Sequence, residues 1–139
     1  FKSFNDTYGH DTGDDVLKLV ATKLQQVGGR AKVYRYGGEE FTVLFKGKLA
    51  EDTRDHLELL RASIENYNMV LRNQDARPKD DKVGSKSRGA KKKQEYVNVT
   101  ISIGVADSLD SNKVSEVMKA ADNALYKAKK AGRNRVCIN

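Results

Sequence analysis

Two glycines and two glutamates stand side by side in the segment RYGGEEF, at residues 35–41. Short apolar stretches on both sides predict a β-hairpin with these four residues at its tip. Gly37 and Gly38 permit positive φ and let a bulky anionic ligand approach the backbone closely. A rigidly held carboxylate beside a phosphate can hold magnesium, although at most one of Glu39 and Glu40 would face a given ligand. An ordinary turn with two solvated glutamates has the same composition, so the segment alone leaves both interpretations open.

Four further blocks accompany this segment in a fixed order. They are FKSFNDTYGHDTGD at residues 1–14, VTISIGVA at 99–106, ADNALYKAK at 121–129 and GRN at 132–134. Together the five blocks resemble the GGDEF family, the diguanylate cyclases, in the Gly-Gly-Glu-Glu-Phe spelling that active members also use. The resemblance covers nearly the whole chain apart from a region near residues 75–95. It implies the catalytic domain of a bacterial signalling protein, which condenses two GTP into cyclic di-GMP and releases two pyrophosphates.

The resemblance also implies which residues recognise guanine, namely Asn5 and Asp14. Asparagine offers both a donor and an acceptor, and a carboxylate accepts from the N1–H and N2–H₂ edge of guanine. Each residue has a structural alternative, because Asn5 can cap a turn and Asp14 can cap the first helix. Gly9 and His10, between them, are interpreted as residues that shape the loop.

The remaining implied roles concern phosphate and metal. The resemblance assigns the phosphates of GTP to Lys2, Lys129 and Arg133; the last two also complement the negative end of a helix. Glu39 matches the family position that binds Mg²⁺ (or Mn²⁺) and helps to activate the ribose 3′-hydroxyl, and Glu40 contributes to the same acidic, catalytic site. Since one GTP lies on each of two facing domains, turnover requires at least a transient dimer with a second GGDEF domain.

The chain departs from the family pattern at two places. Family members carry, before the Phe-Lys pair, a short strand whose aspartate supplies a second metal carboxylate, whereas this sequence begins at Phe1. We therefore expect a truncated domain whose activity, as given, is impaired. The Arg-x-x-Asp motif of the family's inhibitory site is replaced, with Gly28 and Ala31 at its two defining positions. This replacement predicts that cyclic di-GMP does not bind there as a feedback inhibitor.

Composition favours one cytoplasmic domain over residues 1–139. The chain is of ordinary domain size, has a single cysteine (Cys137, predicted to lie in a strand) and contains no apolar run that could span a membrane, although the domain could belong to a membrane-anchored protein. The net charge is +7, and residues 72–93 hold nine basic against three acidic residues. This basic segment, at about residues 75–95, is predicted to be a flexible loop.

Two other functions remain open at this point. The domain could bind GTP as a sensor without turning it over. The basic loop could instead bind nucleic acid, but no aromatic residue lies between residues 76 and 94 to stack on bases, so no specific nucleic-acid partner is expected. Deletion of residues 77–93 would separate these two functions, because it would abolish RNA binding without changing GTP affinity.

Apolar periodicity predicts the elements that position these residues. It predicts three helices: one from Asp14-Asp15 to Gly28-Gly29, one over residues 51–66 with Leu57, Leu60 and Ile64 inward and His56 solvated, and one over residues 114–131 capped by Gly132. Besides the hairpin, it predicts strands at residues 67–72, 96–106 and 135–138, the first two joined by the basic loop. The fold class is therefore α+β, an antiparallel-rich central sheet flanked by helices. The resemblance implies a nucleotide-cyclase-like, ferredoxin-related palm without its first strand.

Overall fold

Helices alternate with short pairs of strands along the chain. A computed structural model describes residues 2–71, 95–109 and 111–139, with the side chain of Lys2 excepted. The helices are α1 (Lys2–Tyr8), α2 (His10–Gln25), α3 (Ala50–Glu65) and α4 (Val114–Lys130). The strands are β1 (Lys32–Gly37), β2 (Glu40–Leu44), β3 (Met69–Val70), β4 (Tyr96–Val97), β5 (Ile103–Val105) and β6 (Val136–Ile138). The predicted basic loop lies outside the described residues.

The described strands pair two by two. β1 and β2 form an antiparallel hairpin in which Val33 faces Val43, and β3 and β4 form a second antiparallel pair. β5 and β6 are parallel, with Ile103 opposite Val136. The helices and strands of the described residues confirm the α+β class, and Cys137 lies half-buried in β6 as predicted.

The prediction of one strand over residues 96–106 is wrong. The segment divides into β4, which pairs with β3, and β5, which pairs with β6. Between them the side chain of Asn98 donates hydrogen bonds to the carbonyl oxygens of Glu65 and Tyr67, at 3.1 and 3.0 Å. These bonds tie the segment to the end of α3, where it changes partner. Polar and apolar residues alternate in the same way before and after this change of partner strand, so the sequence pattern does not reveal the change.

The first helical region also differs from its prediction. Lys2–Tyr8 forms a helix of its own, α1, and Gly9, with φ of 87°, separates it from α2. Because α2 begins at His10, Asp14 lies inside the helix, and its interpretation as a helix cap is wrong. The helix ends at Gln25, before the glycine pair, where the N–H groups of Gln26 and Val27 bond to Lys23 and Leu24. A glycine pair can follow directly after a helix, but the helix can also end a few residues before it.

The core lies between α2, α3 and the strands. Its buried side chains are Val16, Val20, Leu24, Leu57, Leu60, Ile64, Met69 and Val136. The three inward residues predicted for α3 are confirmed, since Leu57, Leu60 and Ile64 are 3%, 5% and 0% exposed. His56 is not simply solvated: it is half-buried, and its ring stacks on Phe45 with centroids 6.4 Å apart. No helix in the described ranges is long and apolar enough to cross a bilayer.

Helix α4 packs on β5 at very short range. Ala124 and Ala128 are completely buried. A Cβ atom placed on Gly104 of β5 would collide with the backbone of α4, at the nitrogen of Leu125 and the carbonyl oxygen of Ala121. Only a residue without a side chain permits this approach. The helix ends at Lys130, and Gly132, with φ of 118°, follows it as predicted.

Candidate active site

The hairpin tip has the conformation that its glycines allow. Gly38 has φ of 50°, and Gly37, which is paired with Glu40, has φ of 153°. A Cβ atom on either glycine would meet no other atom within 4 Å. The space beside both residues is therefore open to a ligand, and the backbone conformation, not crowding by the protein, explains why glycine is present.

Arg35, on strand β1, closes this turn. Its Nε and Nη2 atoms donate hydrogen bonds to the carbonyl oxygen of Gly38, at 3.2 and 2.7 Å. Two donors from one planar group hold that carbonyl in a defined direction. Our sequence interpretation did not assign this role to Arg35, although its place at the start of the RYGGEEF segment was visible.

The two acids of the tip are exposed. Glu39 belongs to the turn and Glu40 is the first residue of β2. Within residues 2–71, 95–109 and 111–139 no group of three or more His, Cys, Asp or Glu side chains could hold a metal ion. Magnesium is commonly held by one or two carboxylates together with substrate phosphates. Glu39 and Glu40 therefore fit a metal ion that is bound partly by the phosphates of a nucleotide, and not one that is coordinated by protein side chains alone.

Asn5 meets helix α2 at the turn that carries Asp14. The carboxamide of Asn5 lies directly against Gly13, at the place where a Cβ atom of residue 13 would be. Its Oδ1 atom is buried and has no hydrogen-bond partner among the described residues. Asp14, the next residue along α2, is exposed. Because buried acceptors are seldom left without a partner, this junction of α1 and α2 is a candidate for ligand recognition.

The two candidate phosphate ligands near the end of α4 lie on either side of Gly132. Lys129 lies in the last turn of the helix and Arg133 lies just beyond Gly132; both side chains are exposed. The N–H of Arg133 donates to the carbonyl oxygen of Ala128 at 2.9 Å, which closes the end of the helix. Lys2 is the first residue of α1, and the structure does not describe its side chain.

The candidate residues thus form three groups on separate elements. One is the hairpin tip, one is the α1–α2 junction, and one is the turn between α4 and β6. A family model for the diguanylate cyclase GGDEF domain matches the chain over residues 1–84 and 80–135. The chain belongs to the GGDEF family.

Curated relatives agree with this assignment to the GGDEF family. The chain is 34% identical to the diguanylate cyclase VdcA of Vibrio cholerae serotype O1, over 98% of this chain and 35% of VdcA. It is 35% identical to the diguanylate cyclase DgcZ of Escherichia coli K12, over 97% of this chain and 39% of DgcZ. The chain therefore spans well under half of the length of these curated relatives.

Solved structures of GGDEF domains share the fold. The GGDEF domain of DgcB from Caulobacter crescentus, determined in complex with c-di-GMP, matches with a TM-score of 0.73 and 31% identity. The match covers 99% of this chain and 70% of that one. The active GGEEF domain of a diguanylate cyclase from Vibrio cholerae matches with a TM-score of 0.71 and 26% identity, over 99% and 74% of the two chains. The nucleotide-cyclase-like class implied by the motifs is confirmed.

Proposed function

We propose that this domain condenses two molecules of GTP into cyclic di-GMP. The observation that carries the proposal is the GGEEF hairpin tip of a GGDEF-family chain, which presents two exposed glutamates beside open space. In the reaction, the 3′-oxygen of each GTP attacks the α-phosphorus of the other GTP. The bond between each α-phosphorus and the departing pyrophosphate breaks, and each 3′-hydroxyl loses its proton.

The proposed roles follow the three groups. At the hairpin tip, Glu39 holds the divalent ion and assists loss of the 3′-hydroxyl proton, and Glu40 adds negative charge to the same site. A bound Mg²⁺ or Mn²⁺ would supply Lewis-acid stabilisation of charge on the phosphates. Asn5 and Asp14 recognise the guanine edge, the former through a carboxamide that packs beside Gly13 of α2. The triphosphate is bound by cationic side chains, namely those of Lys2, Lys129 and Arg133.

The proposal includes the setting of the reaction. In this proposal residues 1–139, with the predicted basic loop at about residues 75–95, belong to a single GGDEF domain, and the domain acts in the cytoplasm. It works with a second GGDEF domain, because each site holds one of the two GTP molecules that react. Full turnover is proposed for the natural polypeptide that contains these residues, because the chain spans well under half of the length of its curated relatives.

The test is conversion of GTP by that natural polypeptide in the presence of Mg²⁺. We expect one cyclic di-GMP for every two pyrophosphates, no product from ATP, and no product after chelation of the metal. Specific activity should rise with protein concentration, because two domains must meet. Binding of GTP without any product would reject the cyclase proposal and leave a nucleotide sensor.

Gly13→Ala should weaken guanine recognition without unfolding the domain. The new methyl group would take the place of the Asn5 carboxamide, which must then swing away. Alanine is otherwise favourable inside a helix such as α2. We expect GTP affinity to fall about tenfold, the equivalent of losing one hydrogen bond to guanine, while the thermal midpoint stays within a few degrees.

Isothermal titration with GTP and ATP measures this effect on the 139-residue chain. Gly28→Ala is the matched control, because the atoms nearest to its new Cβ belong to the side chain of His56 and not to Asn5. The preference for GTP over ATP should shrink in Gly13→Ala and persist in the control. An unchanged preference in Gly13→Ala would remove Asn5 from the proposed guanine site.

A further inference from the structure

The turn between α4 and β6 is tied to helix α3 by one side chain. Asn134 donates from Nδ2 to Oε2 of Glu65 at 2.6 Å and accepts at Oδ1 from Nη1 of Arg61 at 2.9 Å. The same Nη1 of Arg61 donates to Oε2 of Glu65 at 2.6 Å. The three side chains therefore form a closed set of hydrogen bonds, which we call the α3–turn lock.

The backbone of this turn needs such support. Gly132, Arg133 and Asn134 have successive φ values of 118°, 64° and 48°. Positive φ is easily reached by glycine and tolerated by asparagine, but it is uncommon for arginine. Such conformations persist where the surrounding structure imposes them. Asn134 follows Arg133 directly, and its bonds to α3 hold the turn in this positive-φ conformation.

The charges of the lock reinforce it. The hydrogen bond from Asn134, followed by that from Arg61, lowers the pKa of Glu65, so its carboxylate is charged at neutral pH. Arg61 is 19% exposed in its side chain and is also bonded through Nε to Glu58 at 3.1 Å. Two carboxylates therefore hold the guanidinium in place while it donates to Asn134. The lock joins a fixed point on α3 to the residue that follows Arg133.

We propose that the α3–turn lock positions Arg133 to bind the triphosphate of GTP. This inference rests on the proposed function, in which Arg133 is a phosphate ligand. The side chain of Arg133 is long and exposed, so its reach is set by the direction of its backbone. A backbone that is already held in one conformation loses less conformational entropy when the Arg133 side chain binds a ligand. Asn134, Glu65 and Arg61 are thus positioning residues and do not touch the substrate.

The test compares two carboxylates that both bind Arg61. Glu65→Ala removes one of the two partners of Asn134, whereas Glu58→Ala removes a bond to Arg61 but none to Asn134. Titration of the 139-residue chain with GTP and with GMP separates phosphate binding from base binding. We expect the ratio of GTP to GMP affinity to fall about tenfold in Glu65→Ala and to stay unchanged in Glu58→Ala.

Asn134→Gly provides a second, independent variant. Glycine reaches a φ of 48° without strain, so this change removes the lock while it keeps the turn conformation accessible. We expect the same loss of triphosphate preference as in Glu65→Ala. Partial rescue is expected in Glu65→Gln, because its side-chain oxygen still accepts a hydrogen bond from Asn134. A purely structural role would alter thermal stability without changing the ratio of affinities.

A double-mutant cycle with Arg133→Ala decides the matter. If the lock acts through Arg133, adding Arg133→Ala to Glu65→Ala should weaken GTP binding by much less than it does in the wild type. If the wild type binds GTP but the two substitutions cause additive losses of GTP affinity, the proposed role of the lock is wrong and the proposed function still stands. If the wild type does not bind GTP, the proposed function is wrong, and the proposed role of the lock in positioning Arg133 is wrong as well.

Discussion

Glu39→Gln is expected to reduce formation of cyclic di-GMP by at least about 100-fold, the range seen when a group that stabilises transition-state charge is removed. The amide keeps the size of the glutamate but cannot hold a divalent ion with a negative charge or accept the proton of a 3′-hydroxyl. Because Glu39 is exposed at the hairpin tip, the exchange should leave folding unchanged. The loss should fall on kcat more than on GTP affinity.

Steady-state rates and GTP titrations of the natural polypeptide measure both quantities. Glu51→Gln is the matched control, since Glu51 is also an exposed glutamate and lies on α3, where its partner is Arg54. The control should retain activity close to that of the wild type. Activity within threefold of the wild type in Glu39→Gln would show that the ion and the reacting hydroxyl are served by other groups.

Gly104→Ala is expected to lower the free energy of unfolding by about 3 kcal/mol, at the upper end of the cost of overpacking a core. The new methyl group would lie inside the backbone of α4, at Leu125 and Ala121. Backbone atoms cannot turn aside as a side chain can, so the helix must shift away from β5. The shift would also open the contacts of Ala124 and Ala128, which are completely buried.

Denaturation with urea, followed by circular dichroism, measures this loss. The same exchange at Gly28 is the control, because the ring of His56 can move to accept a methyl group there. We expect the control to lie within about 1 kcal/mol of the wild type, as is usual away from rigid contacts. Equal stabilities of the Gly104→Ala and Gly28→Ala variants would mean that α4 is free to move away from β5.

Helix α3 and the hairpin were predictable because their signals are local. The spacing of Leu57, Leu60 and Ile64 defines one buried face of a helix, and the glycines at 37 and 38 can only be a turn between two such short strands. The two strands β4 and β5 were merged in the prediction for the opposite reason. Their separation depends on bonds from Asn98 to carbonyl groups some 30 residues earlier, which no local pattern encodes.

The candidate site shows the same division. Its residue types could be proposed from the motifs, since acids, amides and cations carry their chemistry wherever they lie. Their supports could not be proposed in this way. The bonds from Arg35 to Gly38, the fit of Asn5 against Gly13, and the bonds of Asn134 to α3 all depend on the backbone geometry of separate elements.

The pairing of β5 with β6 has a consequence for the order in which the domain assembles on the ribosome. Ile103 finds its partner in Val136, which is translated 33 residues later. The β1–β2 hairpin closes over a few residues and can form as soon as it leaves the exit tunnel, whereas the parallel pair must wait for the whole of α4. Arg133 lies in that late crossover. A nascent chain can therefore present Asn5, Asp14 and Glu39 before it has the turn that would bind the triphosphate.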